Sequence, residues 1–240
     1  MRQDDTHVRL ELVRERIRRA ARRAGRDPEA VTLLAASKLI APDRISAAIH
    51  LGIKHLGENR VQEAESKFER LASLRHSATW HLIGPLQSNK VRRALASFDV
   101  IQSVDRIRLA QQIERVASEM NRQIPIYVEV NVGAETSKSG VLPDHLIPLA
   151  EAIAAGAHLE LQGLMTVPPY LEDPEAVRPY FKRLRELRDA VNREHLFNRE
   201  VVGLSMGMSH DFEVAIEEGA TLIRIGTALW GPRPVEERPS

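Results

Sequence analysis

The sequence has 240 residues and no cysteine, which excludes disulfides, thiolate zinc sites, iron–sulfur clusters and a cysteine nucleophile. Aromatic residues make up only 4% of it, too few for the stacking platforms of a single-strand nucleic-acid binder. No apolar run approaches the roughly 20 residues needed to cross a bilayer. The stretch from Met1 to Gly25 is rich in arginine but carries Asp4, Asp5, Glu11 and Glu15. It resembles neither a secretory signal nor an acid-poor transit peptide, so a cytoplasmic protein without a membrane partner is expected. Excess charge is lacking too: the net charge is +1, which argues against a chain built mainly to bind nucleic acid. Lysine is scarce beside arginine, being confined to Lys38, Lys54, Lys67, Lys90, Lys138 and Lys182. What is present is a 43% hydrophobic share, ample for one sizeable core. No linker, low-complexity tract or internal repeat divides the chain. One domain over 1–240 is expected, with loose tails at 1–6 and 233–240.

The pattern alternates strand and helix. Apolar runs read as strands at 31–36, 53–57, 80–83, 100–103, 125–132, 159–165, 201–205 and 222–225. Helical spacing separates them near 42–49, 59–71, 88–96, 105–122, 143–155, 174–194 and 209–218, and a further helix at 7–24 precedes the first strand. Such alternation implies parallel strands with right-handed crossovers. Eight units in a chain near the usual ~250 residues point to a (β/α)₈ barrel. The Pro-rich 226–240 segment cannot supply another long helix, so the N-terminal helix is expected to fill that vacant place in the outer ring. An open doubly wound sheet stays possible, because strand order is not legible from sequence.

In a barrel, chemistry belongs at the C-terminal ends of the strands. Three of the scarce lysines, Lys38, Lys90 and Lys138, fall there. Lys38 follows the first apolar strand, so its amine should reach the mouth partly desolvated, a condition that favours the neutral nucleophile of imine chemistry. A lysine snorkelling to solvent or paired with Glu58 explains the same spacing. A second signal lies at the ends of strands seven and eight, where barrels often bind phosphate. Gly207 allows close backbone approach, Ser209 is a natural N-cap for the helix at 209–218, and Gly226-Thr227 adds a small residue and a hydroxyl. Either motif alone is an ordinary turn and cap. A rim lysine together with a phosphate cup suggests pyridoxal 5′-phosphate.

The segments Ala36-Ser37-Lys38, Gly57-Glu58-Asn59-Arg60-Val61-Gln62-Glu63 and His81-Leu82-Ile83-Gly84-Pro85-Leu86-Gln87-Ser88-Asn89-Lys90 resemble the YggS/PROSC family of pyridoxal phosphate homeostasis proteins. So do Glu129-Val130-Asn131-Val132, Ser137-Lys138-Ser139-Gly140, Gly163-Leu164-Met165, Leu204–Ser209 and Arg224–Gly231. The likeness runs in order from Val31 to Gly231, across nearly every strand end. It implies a barrel like that of alanine racemase, with the cofactor held as an aldimine on Lys38. It implies a phosphate cup of Ser209, Gly226 and Thr227, shaped by Ser205 and Gly207. Arg224 matches the arginine that faces the pyridine nitrogen in such folds; a permanent cation there leaves the nitrogen unprotonated and the ring a poorer electron sink. Asn59 and His81 would lie toward the ring or its 3′-oxygen side. The implied function is intracellular vitamin B6 homeostasis, with cofactor supplied to apoenzymes; the lack of a partner-donated domain favours a monomer, and the lack of a second base favours a protein without a dedicated catalytic activity. Two departures stand out. Leu39-Ile40-Ala41 replaces the family's usual Thr-Lys-Pro, removing a second lysine, and Arg60 stands where tyrosine is frequent.

Rival readings are weaker. Gly203-Leu204-Ser205-Met206-Gly207 fits a G-x-S-x-G nucleophile elbow, but the only downstream histidine is His210 and no acid precedes it. The arginines of the first helix, Arg14 to Arg26, could track phosphates, yet Glu11 and Glu15 read as their helical partners. The nine histidines show no ligand spacing, so no metal is expected. An amino-acid racemase would need a second base opposite Lys38. Neither Tyr127, Tyr170 nor Tyr180 sits at an assignable position, and the chain lacks room after strand eight for alanine racemase's β-domain.

Overall fold

The computed structural model describes residues 5–135 and 138–232. Ser137 and the expected tail at 233–240 lie outside the described residues. Thr6, expected in a loose N-terminal tail, is buried and opens the first helix.

Eight strands pair side by side in chain order, all parallel. They are β1 (Thr32–Ala36), β2 (His55–Glu58), β3 (Thr79–Leu82), β4 (Val100–Val104), β5 (Ile124–Glu129), β6 (Leu159–Met165), β7 (Gly203–Met208) and β8 (Leu222–Ile225). β8 returns to pair with β1 through Leu34↔Arg224 and Ala35↔Ile225, so the sheet is a closed barrel and the open-sheet alternative falls. The helices are α1 (Thr6–Arg23) before the first strand, then α2 (Pro42–His50), α3 (Val61–Leu71), α4 (Val91–Ser97), α5 (Ile107–Glu119), α6 (Leu146–Ala154), α7 (Arg178–Arg193) and α8 (Phe212–Glu217) after β1 to β7. A last short helix, α9 (Thr227–Trp230), follows β8. Strands covered on both faces read as continuous apolar runs, and β4 is buried at every position. No helix among the described residues is long and apolar enough to cross a membrane.

α1 lays Leu10, Val13, Ile17, Ala20 and Ala21 against the barrel and packs beside α8 and α9, filling the place left after β8. Its arginines are spent locally. Arg16 pairs with Glu213, Arg23 with Glu217, and Arg18 and Arg19 with Glu15, while Arg26 donates to the Ile216 carbonyl. The basic stripe is thus a seam between α1 and α8, with its charges largely matched. Each exposed pair contributes at most about 1 kcal/mol.

Buried polar residues gather toward the C-terminal ends of the strands, among them Ser37, Glu58, His81, Gln102, Glu129, Asn131, Thr166, Ser205 and Arg224. β7 runs to Met208, three residues beyond its expected end. Ser205 pairs with Leu222 but Met208 with Arg224, so β7 carries one extra residue, and this bulge re-aims the strand just where it reaches the mouth.

Candidate functional site

Lys38 lies half-buried two residues past β1, in a turn closed by the Ile40 N–H donating to the Ser37 carbonyl at 3.0 Å. Leu39 next to it has a φ of 63°. Glu58 was a candidate partner for Lys38; it forms its ion pair with Lys67 at 2.7 Å and also accepts from the Ser37 hydroxyl at 2.6 Å. Burial outweighs these bonds and holds the Glu58 carboxyl above its ordinary pKa.

Barrel closure decides what faces this lysine. Because Ala35 pairs with Ile225, the chain leaving β1 runs beside the chain leaving β8, and Lys38 comes next to the start of α9. Trp230 ties the two together, its indole N–H donating to the Ala36 carbonyl at 2.9 Å. At that helix start Ser209 accepts from the N–H groups of Gly226 and Ala228, both at 3.1 Å. Ser209 therefore caps α9, across the strand gap, and not α8 as its sequence position suggests. The cause is local: Asp211 accepts from the Met208 N–H at 2.6 Å, making a turn that delays α8 to Phe212. Thr227 is exposed as the first residue of α9, and a side chain on Gly226 would meet open space. Gly207 serves packing: its φ is 90°, and a Cβ there would sit 2.6 Å from that of Ala215.

Arg224 is fully enclosed. It donates to the Ser205 carbonyl at 2.7 Å, the Ser205 hydroxyl at 2.8 Å and the Thr166 carbonyl at 2.6 Å. Burial lowers its pKa to about 10 against the pull of Glu129 and Asp211, so it stays a cation at neutral pH. The Ser205 hydroxyl donates in turn to the Gln102 amide oxygen. His81 is buried and spends both ring nitrogens on protein, at 2.9 Å to Gln102 Nε2 and 3.1 Å to His55 Nδ1. Burial, helped by the charge of His55, holds His81 near a pKa of about 3, so it is neutral. Asn59 follows β2 half-buried, and Gly84 comes so close that a Cβ there would lie 2.4 Å from the Asn59 carbonyl oxygen.

The structure thus brings Lys38, Ser209, Gly226 and Thr227 to one mouth with Arg224 and Ser205 beneath, while His81 lies deeper. These groups fit a phosphorylated aldehyde: an amine, two hydroxyls with a helix start open beside Gly226, and a buried cation. Sequence reading gave no role to Gln102, Thr166, Glu63 and Lys67. The pairing of Glu63 with Lys67 at helical spacing was the one available signal for the last two.

The model of the alanine racemase N-terminal domain matches residues 8–234. The pyridoxal phosphate homeostasis protein of Aquifex aeolicus is 50% identical over 225 residues, covering 94% of this chain and 97% of the relative. That of Pseudomonas aeruginosa is 43% identical, covering 92% and 93%. The chain belongs to the pyridoxal phosphate homeostasis protein family. Among solved structures, the family member PipY of Synechococcus elongatus, with PLP bound, superposes with a TM-score of 0.79 at 34% identity, covering 90% of this chain and all of that one. An alanine racemase of Clostridium difficile, 13% identical with a TM-score of 0.73, shares the fold over 97% of this chain and 58% of its own. The family resemblance read from the strand-end motifs and the barrel read from the alternation both hold.

Proposed function

We propose that this protein binds pyridoxal 5′-phosphate as an imine on Lys38 and serves vitamin B6 homeostasis, holding the reactive aldehyde reversibly and supplying it to apoenzymes. The observation that carries this reading is barrel closure, which sets the lysine after β1 beside the hydroxyl-capped helix start after β8. Ser209, Gly226 and Thr227 take the phosphate, with Ser205 and Gly207 shaping the strand that leads to it. Arg224 stands toward the pyridine nitrogen, and Asn59 and His81 flank the ring. When bound, the cofactor supplies an electrophilic aldehyde and an electron-withdrawing ring. Arg224, a cation with no acceptor atom, could not take a hydrogen bond from a protonated ring nitrogen, so it would leave that nitrogen unprotonated and the ring in its weaker electron-sink form.

A carrier is favoured over an amino-acid racemase. Tyr127, half-buried in β5, touches the place a Gly203 side chain would take, and desolvation raises its pKa, so it makes a poor second base. Tyr170 is 75% exposed and rests against His210, with ring centres 5.2 Å apart. We place the protein in the cytoplasm as a monomer, one domain over 1–240.

The test is a visible spectrum of the purified protein with added pyridoxal phosphate, followed by borohydride reduction and peptide mapping. An imine band with the reduced adduct on Lys38 is expected. Lys38→Ala should lose the adduct and keep the fold, because a rim lysine contributes little to the core. An adduct retained in that variant refutes the assignment.

A further inference from the structure

The two peptide groups that flank Lys38 are both held by side chains from outside its own turn. On one side, the Ser37 carbonyl accepts from the Lys67 ammonium at 2.8 Å. On the other, the Leu39 N–H donates to Glu63 Oε1 at 2.6 Å. Glu63 and Lys67 lie one helical turn apart on α3 and bond to each other at 2.7 Å. Lys67 also reaches Glu58 at 2.7 Å, so its three ammonium protons meet three acceptors within an almost completely buried site. A lysine with every donor engaged has no freedom left, and it fixes the Glu63 carboxylate in turn.

This arrangement bears on a conformation that needs support. Leu39 sits in the left-handed region, which leucine visits rarely, and its side chain is 74% exposed. Little of its own packing holds it there. The charge-assisted bond from its amide to Glu63 does, and that bond exists only while the turn keeps this shape.

We propose that Glu63 is a positioning residue for cofactor capture: anchored by Lys67, it clamps the left-handed turn that presents the Lys38 amine to the barrel mouth. The proposal rests on the reading of Lys38 as the attachment lysine. The clamp spares the protein from waiting for a rare backbone state before the amine meets the aldehyde, so it acts on the rate of capture.

The variant to make is Glu63→Ala, which leaves the buried Lys67–Glu58 pair intact, whereas Lys67→Met strands two carboxylates and endangers folding. In the ligand-free protein, hydrogen exchange at the Leu39 amide should accelerate at least tenfold. Imine formation with added pyridoxal phosphate, followed by stopped-flow absorbance, should slow about tenfold, while Glu63→Gln, which retains the acceptor oxygen, stays within about threefold of the parent. Leu39→Gly, free of the left-handed penalty, should restore most of the lost rate when combined with Glu63→Ala. A parent-like rate in Glu63→Ala, with the parent's adduct mapped to Lys38, overturns the clamp alone. A slow Glu63→Ala that Leu39→Gly does not rescue overturns it as well, since the defect then lies outside the turn. A parent adduct on another lysine removes both the clamp's purpose and the attachment reading.

Discussion

The Ser205 hydroxyl, on β7, donates to the Gln102 amide oxygen, on β4, at 2.7 Å across the inside of the barrel. This bond is the middle of a chain whose direction is fixed at one end. Arg224 can only donate, so Ser205 accepts from it and directs its own hydroxyl hydrogen to Gln102. The Gln102 NH₂ then donates to His81 Nδ1, and the His81 Nε2 proton goes to His55 Nδ1. The neutral tautomer of a histidine on β3 is thereby set from an arginine on β8.

Gln102→Leu should interrupt that chain and leave the Ser205 hydroxyl and His81 Nδ1 without their buried partner. A loss on the order of 2 kcal/mol is expected in urea unfolding. Nitrogen NMR should show His81 as the Nε2–H tautomer in the parent and a mixture in the variant. A single tautomer in both would show that Gln102 does not select it.

Stability of the ligand-free protein should depend on Glu129. Burial, with the repulsion of Asp105, pushes its pKa up to about 7 despite the opposing charge of Arg224. A carboxyl raised in the fold stabilises while protonated, so its contribution is present below about pH 4.5 and is lost as pH rises through 7. His81, lowered to about 3, has the opposite slope: its contribution is present above about pH 6.5 and lost as pH falls. The two oppose each other between pH 4.5 and 6.5, and Glu129 acts alone of the pair above that. Glu129→Gln should remove a decline of about 3 kcal/mol in full by pH 9, read from urea midpoints. Parallel midpoint curves for parent and variant would contradict this.

Gly207→Ala should be costly. The methyl would lie 2.6 Å from the Ala215 Cβ and 2.9 Å from the Phe212 Cα, on a backbone with a φ of 90°. A loss of at least about 2 kcal/mol is expected in thermal or urea unfolding. Because the strain falls at the bulge that leads to Ser209, phosphate affinity should fall with it, measured by titration with inorganic phosphate.

Trp230→Phe removes the indole bond to the Ala36 carbonyl and little else of the packing surface. It should cost about 1 kcal/mol of stability. It should also raise the rate at which pyridoxal phosphate dissociates, because the strand that leads to Lys38 and the helix bearing Thr227 lose their tie. An unchanged dissociation rate would mean that strand pairing alone holds the two in place.

Much of this was legible in the sequence. Parallel strands buried on both faces leave unbroken apolar runs, and Lys38, Ser205, Arg224 and Gly226 lie in or just past the strands whose ends they were read from. The misreadings share a cause, which is contact between elements distant in the chain. Ser209 precedes α8 by three residues and looks like its cap, yet its hydroxyl crosses to α9 because Asp211 occupies the nearer turn. Lys67 sits on an amphipathic helix where a lysine is ordinarily solvated, and only the turn after β1 makes it a buried anchor. Gln102 looks like one more rim residue, because nothing local shows that Ser205 and His81 will meet it.

The closure of β8 onto β1 also has a meaning in time. A ribosome releases Lys38 well before α9, with nearly the whole barrel between them in the chain. On the proposed assignment of Lys38 and the cup, a growing chain carries the amine long before it has the groups that would select a phosphorylated aldehyde. Selective capture would then begin only when synthesis has passed Trp230 and the first strand has found its final neighbour.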